Sequence, residues 1–351
     1  MNANPFLGVL LHAIGGFAAG SFYIPYKQVR KWAWEVYWII GGFFSWIIMP
    51  WLISLLVCPN LVTILSNAPG GSVRWAFAFG MLWGVGGLTF GLSMRYLGMS
   101  LGYALALGFC AVCGTVIPPM FKGEFMGLLL HRSGEVTLFG MLVCLMGIAI
   151  CGWAGVIKER ELSTEAKKAT ISEFNFARGV WVAIFAGVMS ACMAFAIQAA
   201  KPIAQLAGAH GTPELWVNSP SYIVIFTGGF TVNFLWCAYL IIRNHTISDL
   251  SPRSGAPILP NLIFSALAGI TWYLQFMFYG MGTTQMGKYD FSSWTIHMAF
   301  IIVFSNLWGI KFHEWKGSSR STLRLVISGI LVLVASTVVV GVGNYLAKIG
   351  Q

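Results

Sequence analysis

Four side chains in a very apolar chain have the chemistry to take up and release a proton: Asp290, His297, His12 and Glu35. Asp290 stands in GKYDFSSWTIH, where a long apolar run begins, and His297 follows seven residues later on nearly the same helix face, with Ser293 and Thr295 between them. His12 lies inside the first apolar run, and Glu35 opens the second within KWAWEVYW. A carboxylate partly withdrawn from water holds its proton more tightly, and an imidazole exchanges one near neutrality. Structural roles compete with this reading. Asp290 suits the N-cap of the helix that follows it, and either histidine can be satisfied by a backbone carbonyl.

A second constellation could hold a neutral ligand. The stretch TWYLQFMFYG, 271–280, sets Gln275 among Trp272, Tyr273 and Tyr279, with Trp272 and Gln275 three apart on one helix face. A sugar has apolar C–H faces that an aromatic ring covers and a hydroxylated edge that an amide or phenol can bond. A packed helix interface with Gln275 bonded across it explains the same residues. Tyr23 joins the candidates from SFYIPYKQVRKWAW, 21–34, where Pro25 removes a backbone donor near the end of a helix. Lys27, in the same stretch, reads as a positive anchor at the membrane surface. No paired-charge site for a phosphate or dicarboxylate is visible.

These side chains must be positioned inside a bilayer. Of 351 residues, 57% are hydrophobic and only 9% charged, against about 25% charged in ordinary soluble domains. Runs long enough for a spanning helix fall at about 6–26, 36–57, 74–94, 99–120, 137–157, 178–199, 219–242, 258–281, 291–310 and 323–346, which makes ten. They are continuously apolar, which argues for helices and against a membrane barrel. Most Lys and Arg residues fall in alternate connections, beginning with Lys27, Arg30 and Lys31 and continuing through Arg95, Lys158 and Lys311. The positive-inside rule makes those connections cytoplasmic and both termini periplasmic. The formal charge of +10 then reflects loops facing anionic lipid, so no nucleic-acid partner is expected. The N-terminus lacks the marks of a cleaved signal peptide. Seven cysteines, including the Cys110–Cys113 pair, read as small apolar packers; no metal site or cofactor is expected. A channel would want a filter-like ring of polar groups and a membrane enzyme a cluster of acids or histidines, and neither is present.

One glycine pattern occurs in each half. Gly91 and Gly98 follow Phe90, and Gly280 and Gly287 follow Tyr279. Gly8 and Gly16 in the first run match the spacing of Gly179 and Gly187 in the sixth. The division this suggests is a first five-helix repeat, 1–157, a cytoplasmic linker, 158–177, and a second repeat, 178–351. With five spans each, homologous halves lie inverted in the membrane, and such halves can expose a central site first to one side and then to the other. Pro25, Arg95 and the four pattern glycines are the candidate gating residues, Arg95 facing inward and Asp290 outward.

The segments SFYIPYKQVRKWAWE, GLSMRYLGMSLG, AAKPI, TWYLQFMFYGMG and YDFSSWTIHMAF together resemble the bacterial L-rhamnose–proton symporter family of the drug/metabolite transporter superfamily, over essentially the whole chain. That resemblance implies an all-α integral membrane protein of ten transmembrane helices in two inverted five-helix repeats. It implies a bacterial inner-membrane location and uptake of L-rhamnose or a related 6-deoxyhexose, with H⁺ as the coupling ion and no other cofactor. Export of a small metabolite and uncoupled facilitation by the same fold are the alternatives. Monomer and loose dimer both stay open.

Overall fold

A computed structural model describes residues 3–97, 99–121, 125–161, 175–313 and 315–350, without certain side chains in its helices, Arg95 among them. Gly98 and most of the 158–177 linker lie outside the described residues. All regular structure among the described residues is helical. The long helices are α1 Pro5–Ser21, α2 Trp34–Val57, α3 Gly70–Leu97, α4 Met99–Phe121, α5 Arg132–Glu161, α6 Phe176–Ala199, α7 Ser219–Asn244, α8 Ile258–Gln285, α9 Ser293–Lys311 and α10 Arg320–Ile349. Among the described residues, nine helices are long and apolar enough to cross a membrane; in α4 the apolar stretch found is the shorter Leu105–Gly114. The chain is an all-α membrane protein.

Local sequence sets the helix ends and bends. Asn4 caps α1, accepting from the Leu7 N–H, and Pro5 occupies the first turn, where no donor is needed. α1 stops at Ser21, and a separate turn of helix, Tyr23–Tyr26, carries Pro25. Pro50 has no N–H to give, and the turn before it, Phe44–Ile48, relaxes into a π-helix inside α2. Gly287 has φ +65, a left-handed conformation that breaks the chain between α8 and the 3₁₀ turn Gly287–Ser292 leading into α9. Its pattern partner Gly280 sits inside α8, and Gly91 sits inside α3 with nothing within 4 Å of an added Cβ.

The packing follows a regular scheme. α1 packs on α8 and α9, while α6 packs on α3 and α4. α2 packs on α8, while α7 packs on α3; α5 and α10 pack on each other. Small residues permit the closest crossings. A Cβ at Gly269 would stand 2.1 Å from the Gly41 carbonyl oxygen where α8 meets α2, and one at Gly84 would stand 2.8 Å from the Gly229 oxygen where α3 meets α7. Between them lies an aromatic core, with Trp272 at 5.6 Å from Trp46, 5.4 Å from Trp83 and 5.2 Å from Phe276.

Candidate functional site

A cavity of about 1270 Å³ runs from Val85, Leu107, Ile148 and Ile302 in the middle of the bundle to Lys27, Lys158 and Trp315 at the Lys/Arg-rich end. Its deep wall is apolar. Its polar groups are Tyr23, Thr89, Ser305 and Asn306, with the rings of Trp34 and Trp308 nearby. Asn306 is held by an Nδ2 bond to the Ile302 carbonyl at 2.9 Å, one turn back on α9. Trp308 donates to the Ser21 hydroxyl at 2.9 Å, tying α9 to the end of α1. Of the residues that composition nominated for a ligand, Tyr23 lines this cavity; Trp272, Tyr273, Gln275 and Tyr279 do not. Tyr273, Gln275 and Tyr279 are buried, and the Gln275 carbonyl lies 2.8 Å from where a Cβ on Gly15 would stand. Their stretch belongs to the aromatic core, where ring packing rather than solvent surrounds it. Asn306 reads in the sequence as a polar group with a structural role and Ser305 carries no mark there, because a lone amide or hydroxyl in an apolar run gives no sign of which face is wet.

Among the described residues the opposite end is shut. Asp290 does not cap α9; the N-cap position is Ser292, and the Asp290 carboxylate instead takes Lys201 Nζ at 2.5 Å. Lys201 opens the short helix Lys201–Ala209, where Pro202 occupies the first turn. Beneath the ion pair is a void of only about 20 Å³, lined by Gln198, Tyr279, Thr283 and Trp294 among others. Further bonds close this end. Asn218 Nδ2 donates to the Gly280 oxygen at 2.8 Å, the Asn4 N–H to Gln285 Oε1 at 3.2 Å, and Asn344 Nδ2 to the Ser292 hydroxyl at 3.0 Å. They join α1, α7 and α10 to the α8–α9 region.

His12 and His297 meet just inside this closed end. Both are fully buried, their ring centroids are 6.1 Å apart, and none of their four ring nitrogens makes a well-aligned hydrogen bond; the His12 backbone carbonyl is at best a poorly aligned acceptor for His297. The carbonyl bond that would make His12 an ordinary core histidine is missing, and His297 has only the His12 backbone in that role. Tyr279 stands beside both, at 5.3 Å from His12 and 5.1 Å from His297. Glu35 is placed elsewhere. At the basic end its Oε1 accepts from Asn244 Nδ2 and from the Thr246 hydroxyl, both at 3.0 Å, which ties the start of α2 to the end of α7. No group of three or more His, Cys, Asp or Glu side chains able to hold a metal occurs among the described residues.

A bundle of apolar helices around a central cavity, open at one end and closed by an ion pair at the other, defines a membrane transporter. The chain belongs to the L-rhamnose-proton symport protein family, whose model matches residues 1–346. It is 39% identical over 349 residues to the L-rhamnose-proton symporter of Yersinia pestis (strain Pestoides F), covering 98% of this chain and 99% of that one. The same figures hold for the L-rhamnose-proton symporter of Yersinia pseudotuberculosis serotype O:1b (strain IP 31758).

Proposed function

We propose that this protein carries L-rhamnose, or a closely related 6-deoxyhexose, into the cell together with a proton by alternating access. The observation that carries the reading is the cavity, open at the basic end and sealed at the other by Lys201 and Asp290, in a chain related over nearly its whole length to proteins named for that transport. The chemistry of the lining supports a deoxy sugar. Val85, Leu107 and Ile302 suit a methyl group and C–H faces; Tyr23, Ser305 and Asn306 suit hydroxyls. The sugar sits in this cavity, and Asp290 takes the proton from the outer side in competition with Lys201.

On this reading α4 is the tenth span and the two halves, 1–157 and 178–351, are inverted repeats. The packing scheme supports it, because exchanging each helix for the one five places on in the first half or five places back in the second turns α1–α8 into α6–α3, α1–α9 into α6–α4, and α2–α8 into α7–α3. The glycine contacts follow the same rule: Gly16 abuts Phe300 on α9, and Gly187 abuts Phe109 on α4. The positive-inside rule then places the cavity mouth in the cytoplasm and both termini in the periplasm of the inner membrane. The conformation is inward-open, with the proton already released.

The test uses purified protein in sealed liposomes with labelled L-rhamnose outside and an inward proton gradient. Accumulation that collapses on adding a protonophore is the expected result. Equilibration without accumulation would make the protein a facilitator, and sugar-induced acidification outside would make it a proton antiporter.

A further inference from the structure

The histidine pair poses a problem of its own. Leaving a buried polar atom unpaired costs about 1–3 kcal/mol, whereas replacing polar groups by apolar ones of similar shape can be nearly neutral. Ring nitrogens without a well-formed partner, at least three of the four here, are therefore expensive, and a phenyl or leucyl side chain would fill the space without that cost. The pair is contributed by both halves, His12 from α1 and His297 from α9. It lies between two features already described. Along α9 and the turn before it come Asp290, His297, and then Ile302 and Asn306 at the cavity. Tyr279 links the first two, since it lines the void beneath Asp290 and its ring lies against both imidazoles.

We infer that His12 and His297 together form the site that holds the transported proton on its way from Asp290 to the sugar cavity. This rests on the symport reading. Two neutral imidazoles offer two acceptors and two donors, so one incoming proton has a nitrogen to occupy and a neighbouring ring to share it. Among the described residues Tyr279 from α8 faces the pair, and beyond the void is Asp290, already engaged by Lys201; Cys144 from α5 is turned to the Thr295 carbonyl. Among the described residues no anion other than the engaged Asp290 lies near the pair, and the proton departs to water in the cavity. When the outer end opens, water reaches the rings and charging becomes affordable. A site whose proton affinity differs between two conformations is what coupling requires. The proton balance closes: one proton leaves the Asp290 carboxyl, resides on a ring nitrogen, and exits as hydronium, returning both rings to neutral and Asp290 to Lys201.

Two measurements test this. In proteoliposomes, the ratio of L-rhamnose-triggered external alkalinisation to labelled-sugar exchange is compared between the unaltered protein, His12→Asn and His297→Asn. The ratio is expected to fall by about tenfold or more, inside the range that coupling between two binding sites spans; an unchanged ratio in both variants would overturn the proposal. The second measurement needs no variant and so does not depend on their folding. The unaltered protein is treated with diethyl pyrocarbonate with and without L-rhamnose exchange, and modified histidines are mapped by mass spectrometry against exposed His131 and His245. Modification of His12 and His297 that rises during exchange supports a wet state of the pair. Rings that stay unmodified through sustained exchange, while His131 and His245 react, would overturn it. Loss of alkalinisation in the unaltered protein would instead count against the symport reading itself.

Discussion

Asp290→Asn removes an ion pair before it removes a proton site, because Lys201 is already on the carboxylate. Both side chains keep partial contact with water, at 35% exposure for Lys201 and 27% for Asp290, so the neutral variant is expected to fold. It is also expected to lose proton-driven accumulation, measured as uptake of labelled sugar under a pH gradient; normal accumulation would take Asp290 out of the coupling role. On the cavity side, Asn306→Ala deletes one hydrogen-bonding group and is expected to weaken L-rhamnose binding by about 1 kcal/mol, roughly fivefold, by calorimetry in detergent. Unchanged affinity would place the sugar on another wall. The sequence made Asp290 and the histidines visible because ionisable groups in apolar runs are rare. Lys201 was not visible as the partner, since it lies 89 residues away and its basic side chain reads as a surface anchor. The Trp272–Gln275 stretch drew notice for the same reason that it is buried: dense aromatic residues pack a core as well as they line a sugar site.

At the scale of helices and their joints, apolar run length revealed nearly every long element, and Pro25 revealed the break after α1. The π-turn before Pro50 went unread, because the run 36–57 is uniformly apolar and a lost backbone bond leaves no mark on hydropathy. Crossings are equally silent in sequence. Glycine counts say nothing about which glycines touch, yet Gly269→Ala would press a methyl onto the Gly41 carbonyl. Overpacking of this kind costs about 1–3 kcal/mol, so a lowered thermal midpoint is expected, whereas Gly70→Ala, with nothing within 4 Å, should leave it unchanged. A second joint is electrostatic. Glu161, at the end of α5, accepts from the Ser319 N–H and hydroxyl at 2.8 and 2.6 Å and from the Thr322 hydroxyl at 2.7 Å, clasping the start of α10. These donors favour the ionised form and hold the carboxyl below its ordinary 4.5. A depressed folded value contributes stability above 4.5 that is lost as pH falls through the lowered one. Glu161→Gln should therefore lower the melting temperature at neutral pH, and the difference should vanish in acid; a difference that persists at low pH would make the clasp a matter of shape rather than charge.

For the whole molecule, several helix contacts recur in both parts of the chain but the closure does not, and this asymmetry makes alternating access testable without following sugar at all. The end near Lys27 holds a large cavity, and the end near Lys201 holds a void with room for about one water. If the same packing can be exchanged between halves, releasing the Lys201–Asp290 pair must open one end and close the other. Thr283 lines the void and Ser305 lines the cavity, so a cysteine at each reports one end. The native thiols are buried or half-buried, but Cys151 also lines the cavity, so both reporters are built on Cys151→Ser. Thr283→Cys alone should react slowly with an impermeant maleimide added outside, and Ser305→Cys readily with one added inside. Adding Lys201→Ala to each should speed the first by about tenfold and slow the second, since a shift of about 1.4 kcal/mol between two conformations changes their ratio tenfold. Opposite changes are the signature of two gates on one equilibrium. If both cysteines became more reactive together, the loss of the ion pair would merely have loosened the bundle, and the symmetry of its contacts would be architecture without a rocking motion.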